Sequence, residues 1–244
     1  MQKDYKISED VIIDVFNKKS IIIDKNQKKV IFWFGYNMRG IIPFEELGGD
    51  VRLVANEILS LFQFPFKATI ISKEKDQSDE AIMIYYLSRK TYKTKIIDSI
   101  KIGEIYNGRI SAVTAWGIFL KVKDGITVFI HCTEVSRSII QDVRECFKIG
   151  DPIRVKIIDK KFKNGEYKLY GSRKQASINI KPSVGEFLPV MITGEINRTA
   201  YFCEVTPGQK GIIHPKKNER FLIGEKVYAY VTEFEKNGFC LRRY

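Results

Sequence analysis

The sequence predicts an all-β chain of three tandem five-stranded barrels with one or two short helices. Three observations point there. Short β-branched runs recur along all 244 residues, turn residues punctuate them, and no long helical segment alternates with them as a parallel α/β sheet would require. A unit also repeats. An aromatic residue precedes a histidine by twelve positions in 119–131 and again in 202–214, with Gly125 or Gly208 near the midpoint, and these are the chain's two histidines.

The first unit, 1–95, has runs at 11–13, 21–23 and 30–34, then Gly40-Ile-Ile-Pro43, a helical stretch at 51–62, and runs at 68–72 and 81–87. The second, 96–178, has Trp116-Gly-Ile-Phe119, a run at 118–122, another at 128–131, a shorter helix around 139–147, and a run at 153–158. The third, 179–244, has Tyr201-Phe202, Gly211-Ile-Ile-His214 and a run at 227–231. Ten residues separate His214 from Gly224, against nineteen between His131 and Gly150, so the third unit has lost most of its helix. Turn signals at Lys25-Asn26, Asp124-Gly125, Asn164-Gly165, Pro207-Gly208 and Asn237-Gly238 separate the strands. The polar-to-mixed segments 91–101 and 174–184 read as linkers of a semi-rigid string.

Charge narrows the function. Lys and Arg number 41 against 29 Asp and Glu, a net charge of +12 that suits a polyanionic partner. Residues 96–178 hold 15 basic and 9 acidic residues, a net of +6 and half the excess, which favours the middle unit as the contact region. The four cysteines form no CxxC pair, and with two histidines committed to the repeat neither a metal site nor a cofactor is implied. Reduced thiols, no signal-like apolar start and apolar runs of strand length point to a soluble, cytoplasmic protein without membrane association. The sequence offers no phosphate-binding loop, no Ser/His/Asp set and no carboxylates clustered for metal-dependent hydrolysis, so it is read as no enzyme. Glu45-Glu46 and Glu134 follow the third strands, where they fit helix starts or ion pairs better than catalysis.

The repeat suggests the site. If each segment is a hairpin folded about its glycine, Phe119 faces His131 and Phe202 faces His214 on adjacent strands. Leu120 and Val122 read as inward, so Phe119 and Lys121 point outward. Trp116 lies three positions from Phe119 and reaches the same face only through a bend, which Gly117 permits. The same parity sends Trp33 outward between Phe32 and Phe34, either to stack alone or to cover an interface. Exposed rings beside an imidazole on a curved sheet form a platform for unpaired bases. The run Lys160-Lys-Phe-Lys163 falls in a predicted loop, either simply solvated or meeting phosphate.

The middle unit resembles the S1-type RNA-binding domain, an oligonucleotide-binding (OB) barrel, and the chain as a whole is similar to proteins of the ribosomal protein S1 kind. The resemblance runs from Ile102-Gly103-Glu104 through Gly108-Arg-Ile110, Trp116-Gly-Ile-Phe119-Leu-Lys-Val122 and Ile130-His131-Cys-Thr-Glu134-Val135. It continues through Ile149-Gly150-Asp151 and Val155-Lys-Ile-Ile-Asp159 to Ser172-Arg-Lys174. Val128 departs from it, standing where glycine is usual. The resemblance implies that Trp116 and Phe119 stack bases, that His131 stacks or hydrogen-bonds beside them, that Asp159 accepts from a base or a neighbouring cation, and that Lys161 or Lys163 meets phosphate. The third unit carries over Phe202 and His214, with Thr199 at the first aromatic position. The first has Ile31 and Pro43 instead. Single-stranded RNA is then the expected partner, with the ribosome or RNA-processing proteins as further ones. An adaptor docking through the first unit and a single-stranded DNA binder stand as alternatives.

Overall fold

The computed structural model describes residues 9–15, 20–48, 54–163, 166–178, 180–206, 209–235 and 238–243. The chain divides into two compact units, 1–99 and 100–244.

The first unit runs β1 (Glu9–Ile13), β2 (Ile22–Asp24), β3 (Lys29–Gly35), β4 (Met38–Pro43), α1 (Ala55–Leu61), β5 (Phe66–Lys75), β6 (Met83–Ser88) and α2 (Arg89–Ser99). Its sheet order is β1-β5-β6-β4-β3-β2. Strand β3 shows why the sheet has an inside: Val30, Phe32 and Phe34 are buried and meet Ile42, Leu47, Ile58, Phe62 and Leu87, while Ile31 and Trp33 alternate outward. β1 pairs with β5, and β2 pairs with β3. Together they do what one continuous first strand does in the other two sheets, so this sheet is a five-stranded arrangement whose first strand is broken in two. The predicted helix at 51–62 is α1, with 51–53 outside the described residues.

The supposed linker at 91–101 is mostly helix α2, a correction with a local cause. The Ser88 hydroxyl accepts from the Thr91 backbone N–H at 2.8 Å, as a capping side chain does. Tyr92 is the helix's buried residue, so no apolar stripe marked it in the sequence.

The second unit holds two closed barrels. The first contains β7 (Ile105–Thr114), β8 (Gly117–Lys121), β9 (Thr127–His131), α3 (Cys132–Val135), α4 (Val143–Cys146), β10 (Pro152–Lys163) and β11 (Glu166–Ser172). The second contains β12 (Phe187–Asn197), β13 (Ala200–Thr206), β14 (Gln209–His214), β15 (Lys226–Glu235) and β16 (Gly238–Arg243). In each, a long first strand pairs antiparallel with the second and the fourth, and the third and fifth run parallel. Ile118, Leu120, Val128, Ile130, Val155 and Leu169 fill the middle barrel. Val128 fits because Gly171 on the neighbouring strand β11 leaves it room: a Cβ there would lie 2.9 Å from Val128 Cγ1. Tyr201, Cys203, Ile213, Ala229, Val231 and Leu241 fill the last barrel.

The predicted helix around 139–147 is not one helix. The chain makes single turns at α3 and α4, and Asp142 caps the latter by accepting from the Arg144 backbone N–H at 2.8 Å. The residues between them run against the last barrel instead. Gln141 donates its backbone N–H to the Thr193 carbonyl at 3.0 Å and its side-chain amide to the Glu195 carbonyl at 3.1 Å, and the Ser138 and Thr193 hydroxyls are 2.9 Å apart. Beside them Arg173 and Glu204 form a buried ion pair at 2.7 Å. These two barrels are therefore packed together, where the sequence suggested beads on a linker at 174–184.

Candidate nucleic-acid interface

Three devices shape the outer surface of the middle barrel. Strand alternation is the first: with Ile118 and Leu120 inward on β8 and Val128 and Ile130 inward on β9, Phe119, Lys121, Phe129 and His131 point out. The second is Gly117, whose φ is +149° and where a Cβ would sit 2.1 Å from the Ile130 carbonyl oxygen. This backbone turns the chain at the start of β8, and Trp116, just before it, is 74% exposed, its carbonyl accepting from the Cys132 N–H at 2.9 Å; among the described residues no ring contact joins Trp116 to Phe119, Phe129 or His131. The third is a β-bulge in β10 between Ile157 and Asp159. It reverses the parity of the strand, so that Asp159 pairs with the outward Tyr170 rather than following Ile157 into the core.

The rings gather around Phe129. Its centroid is 4.8 Å from Phe119, 6.3 Å from His131 and 6.2 Å from Tyr170. These separations fall in the range of stabilising aromatic pairs. Lys161 Nζ lies 5.3 Å from the Tyr170 centroid and pairs with Asp159 at 3.0 Å. The hydrogen bond from Lys161 holds the Asp159 carboxyl below the usual carboxylate range and raises Lys161 in turn, so both stay charged near neutral pH. Lys121 Nζ donates to the Thr127 hydroxyl at 2.8 Å, and Lys163 is exposed at the end of β10. The face is thus a half-open aromatic sheet with cations on its margin, able to accept flat π systems on a polyanionic backbone.

The structure refines the expected pairing. Phe119 lies opposite Phe129, and His131 lies opposite Gly117. The hairpin is centred one residue earlier than the glycine midpoint, on Asp124 with its φ of 52°, so partners shift by two. A two-residue shift keeps the same face, which is why Phe119 and His131 still share it as diagonal neighbours. Lys160-Lys-Phe-Lys163 lies in strand β10 and not in a loop, because Glu166-Tyr-Lys-Leu-Tyr170 pairs with it residue by residue. Phe129 and Tyr170 were missed by the sequence reading. The alternation Thr127-Val-Phe-Ile-His131 carries the signal for Phe129; Tyr170 had none without its register.

The other candidates sit differently. On β13, Phe202 is half-buried, with Ile212 opposite it. Gln141 covers the adjoining strand, its Cγ 3.1 Å from where a Gly194 Cβ would stand. His214 is exposed and a ring nitrogen of it meets the Thr199 carbonyl at 2.9 Å. Among the described residues no ring contact joins Phe202 to His214. Two residues beyond Phe202, where the middle barrel has the half-exposed Lys121, stands Glu204, buried against Arg173. Trp33, in the first unit, lies under the Arg39 guanidinium at 4.9 Å, and Arg39 pairs with Asp76 at 2.5 Å. Among the described residues no group of three or more His, Cys, Asp or Glu is placed to hold a metal ion, and no helix is long and apolar enough to cross a membrane.

This fold and this face define a class: tandem OB-type barrels with a ring-bearing outer sheet. Residues 99–170 match the family model of the S1 RNA binding domain. The chain is 28% identical over 160 residues to polyribonucleotide nucleotidyltransferase of Brachyspira hyodysenteriae, covering 64% of this chain and 20% of that protein. It is 24% identical over 199 residues to small ribosomal subunit protein bS1 of Staphylococcus epidermidis, covering 76% of this chain and 48% of that one. Among solved structures it is similar to GSP13 from Bacillus subtilis, at 26% identity and a TM-score of 0.29, over 34% of this chain and 65% of that chain. The chain spans from a fifth to about half of the length of these curated relatives.

Proposed function

We propose that this protein binds single-stranded RNA without catalysis, chiefly through the middle barrel's face of Trp116, Phe119, Phe129, His131 and Tyr170, and acts in translation, RNA turnover or RNA-based regulation. The observation that carries the proposal is the continuous ring cluster centred on Phe129, margined by Lys161 and Lys163, with the exposed Trp116 just before the strand that carries Phe119. Rings of this kind contribute about 1–3 kcal/mol per stacked base, and each neutralised phosphate adds about −0.7 to the salt slope. In the last barrel, Phe202 and His214 serve as an auxiliary contact, since the packing of Gln141 and Glu204 leaves less of that face open.

The test is RNA affinity of the full chain carrying Trp116→Ala and Phe119→Ala. Loss of two stacks predicts roughly a thirtyfold or greater weakening with the melting profile kept. A folded double mutant that binds as tightly as the parent refutes the assignment. Matched DNA and RNA oligonucleotides in competition decide the sugar preference.

The first unit has a second reading. Its outward face carries Ile31 and Pro43 in place of the ring and histidine, and Trp33 is covered by Arg39. That face suits docking on a protein of the ribosome or RNA-processing machinery, and a nuclease-resistant complex abolished by Trp33→Ala is the expected result.

A further inference from the structure

The second half of β10 adds little to the core. Ile153, Val155 and Ile157 are buried, whereas 161–163 are exposed. Beyond the bulge the ribbon of β10 and β11 has two sides. Asp159, Lys161 and Tyr170 lie on the side of the ring cluster. On the opposite side, the one that buries Leu169, stand Lys160, opposite Leu169, and the directly paired Phe162 and Tyr167. Phe162 meets Tyr167 edge-on at 5.0 Å, and Lys160 Nζ lies 4.8 Å from the Tyr167 centroid. Phe162 is nevertheless 66% exposed. A cross-strand aromatic pair explains why the two rings touch, but not why so much of the phenyl surface faces water.

We propose that Phe162 and Tyr167 form a second base-stacking platform, taking a further nucleotide of the same single strand that occupies the ring face. This rests on the RNA-binding reading above. Two observations choose the occupant. Lys160, Lys161, Lys163 and Lys168 crowd this ribbon, against Asp159, already engaged by Lys161, and Glu166. That charge suits a polyanion with flat faces. The platform is also continuous with the candidate interface: β7 pairs with β10 through residues 152–156, and among the described residues no strand other than β11 pairs with β10 beyond Ile157. A strand leaving Tyr170 passes this stretch of β10 beside Lys161 and Lys163 and reaches Phe162 on the far side. The ribbon is then held on both sides, and the binding site is longer than the ring face alone.

The experiment measures binding of the full chain and its Phe162→Leu and Tyr167→Leu variants to single-stranded oligouridylates of about four and about twelve nucleotides, the shorter matching the low end of site sizes for one OB barrel. Leucine keeps an apolar cross-strand contact and removes the stacking face. The expected result is about a 5- to 100-fold loss of affinity for the long RNA in each variant, with the short RNA bound as by the parent. Variants that bind the long RNA as the parent does overturn the proposal and leave the platform to the hairpin or to a protein. An equal loss on both lengths also overturns it, because the effect then belongs to the main face. Failure of the unaltered chain to bind either RNA refutes the RNA-binding reading itself, and this platform with it.

Discussion

Replacing Arg173 by methionine tests what joins the two barrels of the second unit. The Glu204 side chain is 3% exposed and takes hydrogen bonds from Arg173 at 2.7 Å and from the Ser136 hydroxyl at 2.6 Å. The guanidinium, on a side chain 10% exposed, also donates to the Val135 carbonyl at 3.1 Å and lies 5.0 Å from the Phe147 centroid. Methionine keeps an unbranched apolar stem and removes the charge, together with the guanidinium's contact with Phe147. Glu204 then loses its cation in a dry interface, and stranding one member of a buried pair costs about 3–5 kcal/mol. Removing both charges, in Arg173→Met with Glu204→Met, deletes the desolvation burden as well, so the double variant is expected to lose less than either single change. Urea unfolding of the full chain, read by hydrogen exchange at amides of β10 and β13, separates this unit from the first. The loss should persist in high salt, because a pair out of water is little screened. An Arg173→Met variant within about 1 kcal/mol of the parent, or a double variant equal to the sum of the singles, refutes the reasoning.

Two other perturbations probe the hairpin and its anchor. Gly117→Ala should destabilise the middle barrel by more than about 2 kcal/mol and displace Trp116, because the added methyl meets the Ile130 carbonyl at 2.1 Å in a backbone conformation alanine resists; a thermal melt unchanged by this substitution contradicts the assigned bend. Burial pushes the Glu134 carboxyl up, but hydrogen bonds from Lys174 and Ser172 outweigh it and hold the group below its ordinary value of 4.5. The unfolded chain therefore binds that proton more readily than the folded one, and the stabilisation, complete above pH 4.5, is lost as pH falls through that value toward the lower folded one. Glu134→Gln should flatten stability against pH in that window, measured by denaturation at successive pH values, and an unaltered slope rules out Glu134 as its source.

Where one strand or one hairpin sufficed, the residues themselves were enough. Leu120 and Val122 flank Lys121 with apolar neighbours, and that alternation alone sent Phe119 outward; Gly117 announced the bend that frees Trp116. These are contacts between residues a few positions apart, governed by backbone geometry that each residue type carries with it. The face as a whole was not legible in that way. The bulge after Ile157 reverses parity without any glycine or proline to signal it, and Tyr170 joins Phe129 only because β9 and β11 run side by side across the closed barrel. Helix α2 lacked an apolar stripe and was invisible to periodicity. No residue near Glu204 in the sequence marks it as buried, because its partner Arg173 lies 31 positions away. From the amino-acid order alone came the all-β barrels, the outward rings and the basic excess, because alternation, turn chemistry and charge are local or summed properties. Only the tertiary structure decided which rings touch, which barrel keeps its face open and which surrenders it to packing, because those outcomes depend on register and on partners that the chain brings together when it closes.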